Sequence, residues 1–298
     1  MRKRRGTLAA VKPRRRKKAK RMRAKRRVII KVVTTAEPSR LAAIRSGNLA
    51  NGVNLIGFTR EEMGIGEASR STAKALESAQ IPFGIIHFPM PINARGEDLS
   101  WRHKEMSLAP YKVNLFHMNA DTLLSAPGYF GHEMFRDHFN IGYWAWELAE
   151  FPEEWTGAFS LVDEIWVPST FIMDAVSQKS PVPVIRIPHS IRTVSEHASR
   201  GKFGLPENKF LFLCMFDTHS LSERKNPQAA IDAFKTAFHP DDQSVGLVIK
   251  VNNAQTFPLE LQKIADQTRD FGNIYLFPDI MSRPQVNALI QATDCFVS

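Results

Sequence analysis

The feature that most constrains this chain is an alternation of two periodicities. From Val53 onward, short runs of β-branched, aromatic and aliphatic residues are separated by stretches with helical apolar spacing, roughly 10–15 residues each. Such an alternation predicts βαβ units around a parallel sheet. The runs are almost continuously apolar, as expected where helices cover both faces of a sheet.

Two series emerge. The first has a strand over 53–58 and a helix from about 66 to 79, with Ala68, Thr72, Ala75, Leu76 and Ala79 on one face. Strands over 83–88, 113–118, 141–146, 165–167 and 184–187 complete a first domain by about residue 188. The second series follows Gly204-Leu205-Pro206 with a strand over 210–216. Asn226 is suited to cap the next helix, with Pro227 at its first position and Ala230, Phe234, Ala237 and Phe238 as its apolar face. A strand over 245–251, a helix over 259–268, a strand over 274–277 and a helix opened by a Ser282/Gln285 capping box come next. The series stops on a strand over 294–298 with no covering helix, so the second domain is expected to be truncated.

Charge is partitioned unevenly. The chain carries a net +10, yet residues 1–27 hold 16 Lys and Arg and no acid, leaving the remainder with 24 basic against 30 acidic residues. The tail is suited to nucleic acid or an anionic membrane surface through Coulomb attraction alone. It has no aromatic residue for base stacking, and a disordered, solvated extension is the plainer reading. No run approaches the roughly 20 apolar residues of a membrane span, which places the protein in the cytosol or peripherally at the inner face of the membrane. Cys214 and Cys295 both sit in apolar runs, as buried free thiols do.

Several residues are candidates for chemistry. In GFTREEMGIGEASR, Gly64 and Gly66 lie between a strand and a helix start, where backbone N–H groups and the helix dipole approach an anion; a tight turn serves equally well as an explanation. A dinucleotide fingerprint is excluded, because the third glycine is replaced by Ser69 and the second strand ends near His87 instead of at an acid. Arg224 and Lys225, in SERKNP, follow the first strand of the second series, where two cations can neutralise a diphosphate; charge alone favours a solvated loop, and the position after a strand and before a capped helix shifts the reading toward function. His117, in NLFHMNAD, follows a buried strand and reads either as a cleft histidine or as a satisfied core residue. Trp144, Trp146 and Glu147 could line a carbohydrate or nucleotide site, but large aromatics ending a strand more often pack; Trp144 reads as packing and Glu147 remains open. The His132-Glu133 pair fails as a zinc motif because position 136 is Arg136. No Asp-x-Asp pair of the kind that can hold a cation on a diphosphate occurs, so no metal ion is expected and Arg224 with Lys225 is the better fit for neutralising such a group.

Taken in order, GIGEASR, NLFHMNAD, NIGYWAWELAEFPEEW, VDEIWVPSTF, IPHSI, FDTHSLSERKNP and VNALIQATDCFVS resemble glycosyltransferase family 4, over about residues 50–298. The resemblance implies bacterial-type retaining transferases of the GT-B fold, with two Rossmann-like domains. It divides the chain into a disordered basic tail (1–27), a linker (28–49), an acceptor-side domain (50–190) and an incomplete nucleotide-sugar domain (191–298). It assigns Gly64 and Gly66 to the loop that approaches the donor phosphates, Arg224 and Lys225 to the diphosphate, and His117 to the transferred sugar. Residues 188–190 match the turn between the domains. The implied reaction moves a sugar from a nucleoside-diphosphate sugar to a saccharide, lipid-linked or protein acceptor, in cell-envelope or surface-glycan synthesis, with no further cofactor. The family continues past the last strand into a helix with two glutamates, and this chain stops at Ser298, so it is expected to be a fragment. The competing readings are a noncatalytic relative that binds an anionic partner through residues 1–27, and an epimerase or phosphorylase of the same architecture.

Overall fold

The computed structural model describes residues 42–44, 47–191, 199–219 and 225–298. The basic tail, most of the linker and Arg224 lie outside the described residues.

Two parallel sheets carry the chain. The first holds β1 (Ala50–Gly57), β2 (Phe83–His87), β3 (Tyr111–His117), β4 (Phe139–Tyr143), β5 (Glu164–Val167) and β6 (Val184–Arg186), in the order β2-β1-β3-β4-β5-β6. The second holds β7 (Phe210–Asp217), β8 (Val245–Asn252), β9 (Ile274–Phe277) and β10 (Cys295–Val297), in the order β10-β7-β8-β9. Every neighbouring pair is parallel.

Around the first sheet lie α1 (Gly64–Ser78), the short turns α2 (Ala120–Leu123), α3 (Ala126–Phe130) and α4 (Glu133–Arg136), and α5 (Thr170–Ser177). Around the second lie α6 (Pro227–Ala237), α7 (Pro258–Thr268) and α8 (Arg283–Gln291). Among the described residues no helix is long and apolar enough to cross a membrane.

Each sheet is buried on both faces, which explains the unbroken apolar runs. In β1, Ile56 packs with Phe88 and Phe116 on one side, while Leu55 packs with Ile85 and Leu115 on the other. In β8, Ile249 and Val251 face the core with Ile231 and Phe234 of α6, and Val248 faces Leu289 of α8. Each such side chain contributes about 1.5–3 kcal/mol on leaving water.

Register in the first sheet is pinned by an amide ladder. Asn54, Asn114 and Asn140 are aligned on three adjacent strands. Asn54 Nδ2 donates to Asn114 Oδ1 at 2.8 Å, and Asn114 Nδ2 donates to Asn140 Oδ1 at 3.0 Å. All three are buried, so a one-residue slip leaves amides unpaired in the core.

Some expectations shift. Helix α1 starts at Gly64, and its buried line is Gly66, Ser69 and Ala73, not Ala68, Thr72 and Ala75. Leu76, from the expected face, does pack against the core, and close backbone approach at Gly66 decides which of the small residues turn inward. In α6 the core residues are Pro227, Ile231 and Phe234, whereas Ala237 is exposed. The expected strand over 141–146 ends at Tyr143, because Trp144 turns into a core with Phe151 and Phe159. Asn226 does cap α6, accepting from Ala229 N, and the Ser282/Gln285 capping box of α8 is complete.

Candidate functional site: a cleft between two sheets

In open parallel sheets, ligands bind beyond the carboxyl ends of the strands where the strand order reverses. In the first sheet that reversal falls between β1 and β3, whose last residues Gly57 and His117 are in register. In the second it falls at β7, which ends at Asp217 between β8 and β10. A cleft of about 480 Å³ separates the two halves, with Met63, Gly64 and Glu67 on one wall and Asp217, Asn252 and Arg283 on the other. A second lobe of about 540 Å³ shares Met63, Gly64, Asp217 and Asn252 and adds Lys225. The structure therefore brings Gly64 and Lys225 to one lobe.

On the first wall, the amino end of α1 opens into the cleft. Its N-cap residue Met63 makes no side-chain cap bond, so the first-turn N–H groups have no side-chain partner. Gly64 is exposed, and a Cβ there meets nothing within 4 Å. Gly66 differs. A Cβ at that position falls 2.1 Å from Glu61 O and 2.7 Å from Phe58 O, so its missing side chain makes room for the chain itself.

Arg70 holds this wall in shape. Its guanidinium donates to Thr59 O and Glu61 O at 2.9 Å each, reaches Glu67 at 3.2 Å and pairs with Asp98 at 3.0 Å. Arg95 pairs with Glu62 beside it. Across the cleft, Arg283 of α8 meets Glu67 of α1 at 2.9 Å, tying the halves together.

His117 is set back from both lobes. It is 2% exposed, and neither ring nitrogen has a hydrogen-bond partner. Burial pushes its pKa down to about 3, assisted by His189, so the imidazole is neutral. Its ring stacks on Tyr143 with centroids 4.4 Å apart. Tyr143 O–H donates to Ile187 O at 2.7 Å and accepts from His189 Nδ1 at 3.1 Å, which leaves His189 Nε2 as the lone-pair nitrogen. Burial raises the Tyr143 phenol to about 12.

More unpaired polar atoms collect nearby. Thr59 Oγ1, Glu61 Oε2, Ser69 Oγ and His87 Nδ1 are all buried without a partner at the carboxyl end of the first sheet or on the helix covering it. None was singled out from sequence except Ser69 and His87, and those only to exclude a dinucleotide site.

The second wall is bonded at Asp217, Lys250, Asn252 and Asn253, whereas His219, which lines the second lobe, has a buried Nε2 without a partner. Lys250, next to the end of β8, is 0% exposed; its ammonium donates to Val251 O at 3.0 Å and Asn252 Oδ1 at 2.8 Å. Burial lowers its pKa to about 8, opposed by the carboxylates of Asp279 and Asp217. Asn253, in the left-handed region with φ 53°, donates from Nδ2 to both oxygens of Asp217 at 3.0 and 2.9 Å. Lys225 is exposed just before the α6 cap. Lys250, Asn252 and Asn253 were missed from sequence: a lysine inside the run LVIKVNN reads as an interruption of a strand, and only the packing shows that it is buried.

Cys214 is buried, with its thiol pushed up by desolvation, and Cys295 is half-buried. Among the described residues no three His, Cys, Asp or Glu side chains are grouped to hold a metal ion.

Two parallel α/β halves facing each other across a cleft define the GT-B fold, and the chain has it. The individual likenesses are distant. A glycosyltransferase from Rickettsia africae ESF-5 superposes with a TM-score of 0.55 at 11% identity, covering 83% of this chain and 73% of that one. HepE (Alr3699) from Anabaena, in complex with UDP-glucose, does so with a TM-score of 0.56 at 12% identity and the same coverage, 83% and 73%. Trehalose-6-phosphate synthase from E. coli, bound with UDP-2-fluoro glucose, gives 0.53 at 8% identity over 83% of this chain and 77% of that one. No protein-family model matches the sequence, and no curated protein matches it.

Proposed function

We propose that this chain is a glycosyltransferase of the family 4 type, which moves a sugar from a nucleoside-diphosphate sugar to a saccharide, lipid-linked or protein acceptor with retention of configuration. The observation that carries the reading is that Gly64 and Lys225, from opposite halves, line one lobe of the cleft. An uncapped helix end and an ammonium facing one cavity suit a diphosphate. HepE and the trehalose-6-phosphate synthase, which share the fold, hold UDP-sugars.

In this reading the transferred sugar carries developing positive charge and the leaving diphosphate negative charge. Lys225, Arg224 and the amino end of α1 at Gly64 stabilise the diphosphate without a metal ion. Gly66 contributes by letting α1 pack against residues 58–61, which aims that helix end. His117, neutral through burial, is set back from both lobes, so it offers the sugar a hydrogen bond only once the wall in front of it moves. The acceptor approaches from the side of the first sheet, and closure of the halves excludes water. The protein works at the cytosolic side, free or at the inner membrane face.

The test is a product assay with purified chain, UDP-glucose and related donors, and mixed glycan and lipid-linked acceptors, read by NMR of the new anomeric centre. A new glycoside with the donor's configuration supports the reading. Donor hydrolysis alone, or an epimerised donor, contradicts it.

A further inference from the structure

The second wall of the cleft carries two adjacent amides whose orientations are dictated by their partners. Lysine's ammonium can only donate, so the Asn252 atom 2.8 Å from Lys250 Nζ must be the amide oxygen. A carboxylate can only accept, so the Asn253 atom bonded to both Asp217 oxygens must be the amide nitrogen. The usual ambiguity of amide flips is thereby removed. What remains for the cleft is the Nδ2 of Asn252, a donor, and the Oδ1 of Asn253, an acceptor. Both residues line both lobes.

The surroundings narrow the ligand. Met215, Ile280, Met281 and Val286 flank the amides in the 480 Å³ lobe and give it apolar sides. A flat heterocycle suits such a slot, with apolar faces against methionine and isoleucine and an edge that carries N–H beside a carbonyl or ring nitrogen. A vicinal diol, polar around its whole rim, leaves those apolar walls unused. Thr218 Oγ1 fastens the loop by donating to Asn252 O at 3.2 Å and Asn253 O at 2.9 Å, so the pair is fixed before any ligand arrives.

We propose that Lys250 and Asp217 are positioning residues that set Asn252 and Asn253 as a donor–acceptor pair for the base edge of the nucleotide. The proposal rests on the cleft being a nucleotide-sugar site. Lys250 is 0% exposed and acts only through Asn252.

The experiment compares two probes by calorimetry on the full chain: the best-bound of UDP, TDP, ADP and GDP, and inorganic pyrophosphate, which has no base. Lys250→Met is expected to weaken the nucleotide roughly tenfold, about one hydrogen bond, and to leave pyrophosphate unchanged. Asn252→Leu should do the same, and Lys250→Met should add nothing to it in the double variant. Lys250→Arg, which retains a donor, should recover part of the loss. Unchanged nucleotide affinity in both single variants, or equal weakening of nucleotide and pyrophosphate, overturns the inference while the nucleotide-sugar reading stands. Failure of the wild-type chain to bind any of the four nucleotides overturns both.

Discussion

Two buried bases, one near the carboxyl edge of each sheet, show how differently the halves are prepared. His117 ends β3 with neither ring nitrogen bonded, beside further unpaired atoms of Thr59, Glu61 and Ser69. Lys250 lies near the end of β8 with its ammonium bonded to Val251 and Asn252 and with two carboxylates to balance it. Buried polar atoms without partners cost about 1–3 kcal/mol each, and natural proteins keep them where a ligand or water completes the set. The first half therefore leaves a cluster of groups waiting for partners, whereas the second, apart from His219 Nε2, presets the groups that line its cleft wall. Under the proposed function, that difference suits a first half that admits a variable acceptor and a second that reads one donor.

The largest effect that sharpens this comparison concerns charge in the half that carries Lys225. Arg224→Ala or Lys225→Ala should lower kcat for sugar transfer about a hundredfold or more, since one donor aimed at developing charge contributes about 2.7–4 kcal/mol. Near-full turnover in both variants removes their assigned role.

Next comes acid stability, which belongs to His117. Its folded pKa, about 3, lies below the unfolded value, so the unfolded chain binds the extra proton as pH falls below about 6.5. Stability should drop progressively from there down to about pH 3, by up to roughly 4–5 kcal/mol. Urea titrations across that range should show a shallower slope in His117→Leu than in wild type. Equal slopes would mean that the histidine is solvated in the folded state.

Lys250 should govern the alkaline side with the same sign. Its folded pKa of about 8 is also depressed, so stability should rise with pH between about 8 and 10.5, by on the order of 3 kcal/mol at most. Lys250→Met should flatten that rise. A rise of unchanged size in the variant contradicts this.

The smallest effect is expected at the tie between the halves. Arg283 and Glu67 are 63% and 36% exposed at the side chain, so Arg283→Ala should cost no more than about 1 kcal/mol, and less in high salt. Thermal unfolding at two salt concentrations measures it.

The parallel architecture was legible because burial on both faces writes itself into the sequence as apolar runs; strands β1, β7 and β8 each lie within about three residues of their expected positions. The caps at Asn226 and Ser282 were legible because capping is local chemistry. What was not legible depends on contacts far apart in the chain. Which face of α1 turns inward is settled by Gly66 against Phe58 and Glu61. The Arg70 clamp reaches Asp98, and the Asn253 amide finds Asp217, 36 residues earlier. His117 was named but its place was not: the sequence puts it after a strand, and only packing sets it behind Gly57 and Ser69, away from the lobe that Lys225 reaches.

The central claim is that a nucleoside diphosphate sits where Gly64 opens α1 into the cleft. Because a side chain there meets nothing, and an acid in the first turn of a helix is favourable, Gly64→Glu should fold as stably as wild type. Calorimetric titration of UDP into both proteins is the most direct test. Binding by wild type, with a loss of at least tenfold in Gly64→Glu at unchanged melting temperature, is the result expected from a carboxylate placed at the diphosphate. Equal affinity in the two proteins would show that the diphosphate does not bind there.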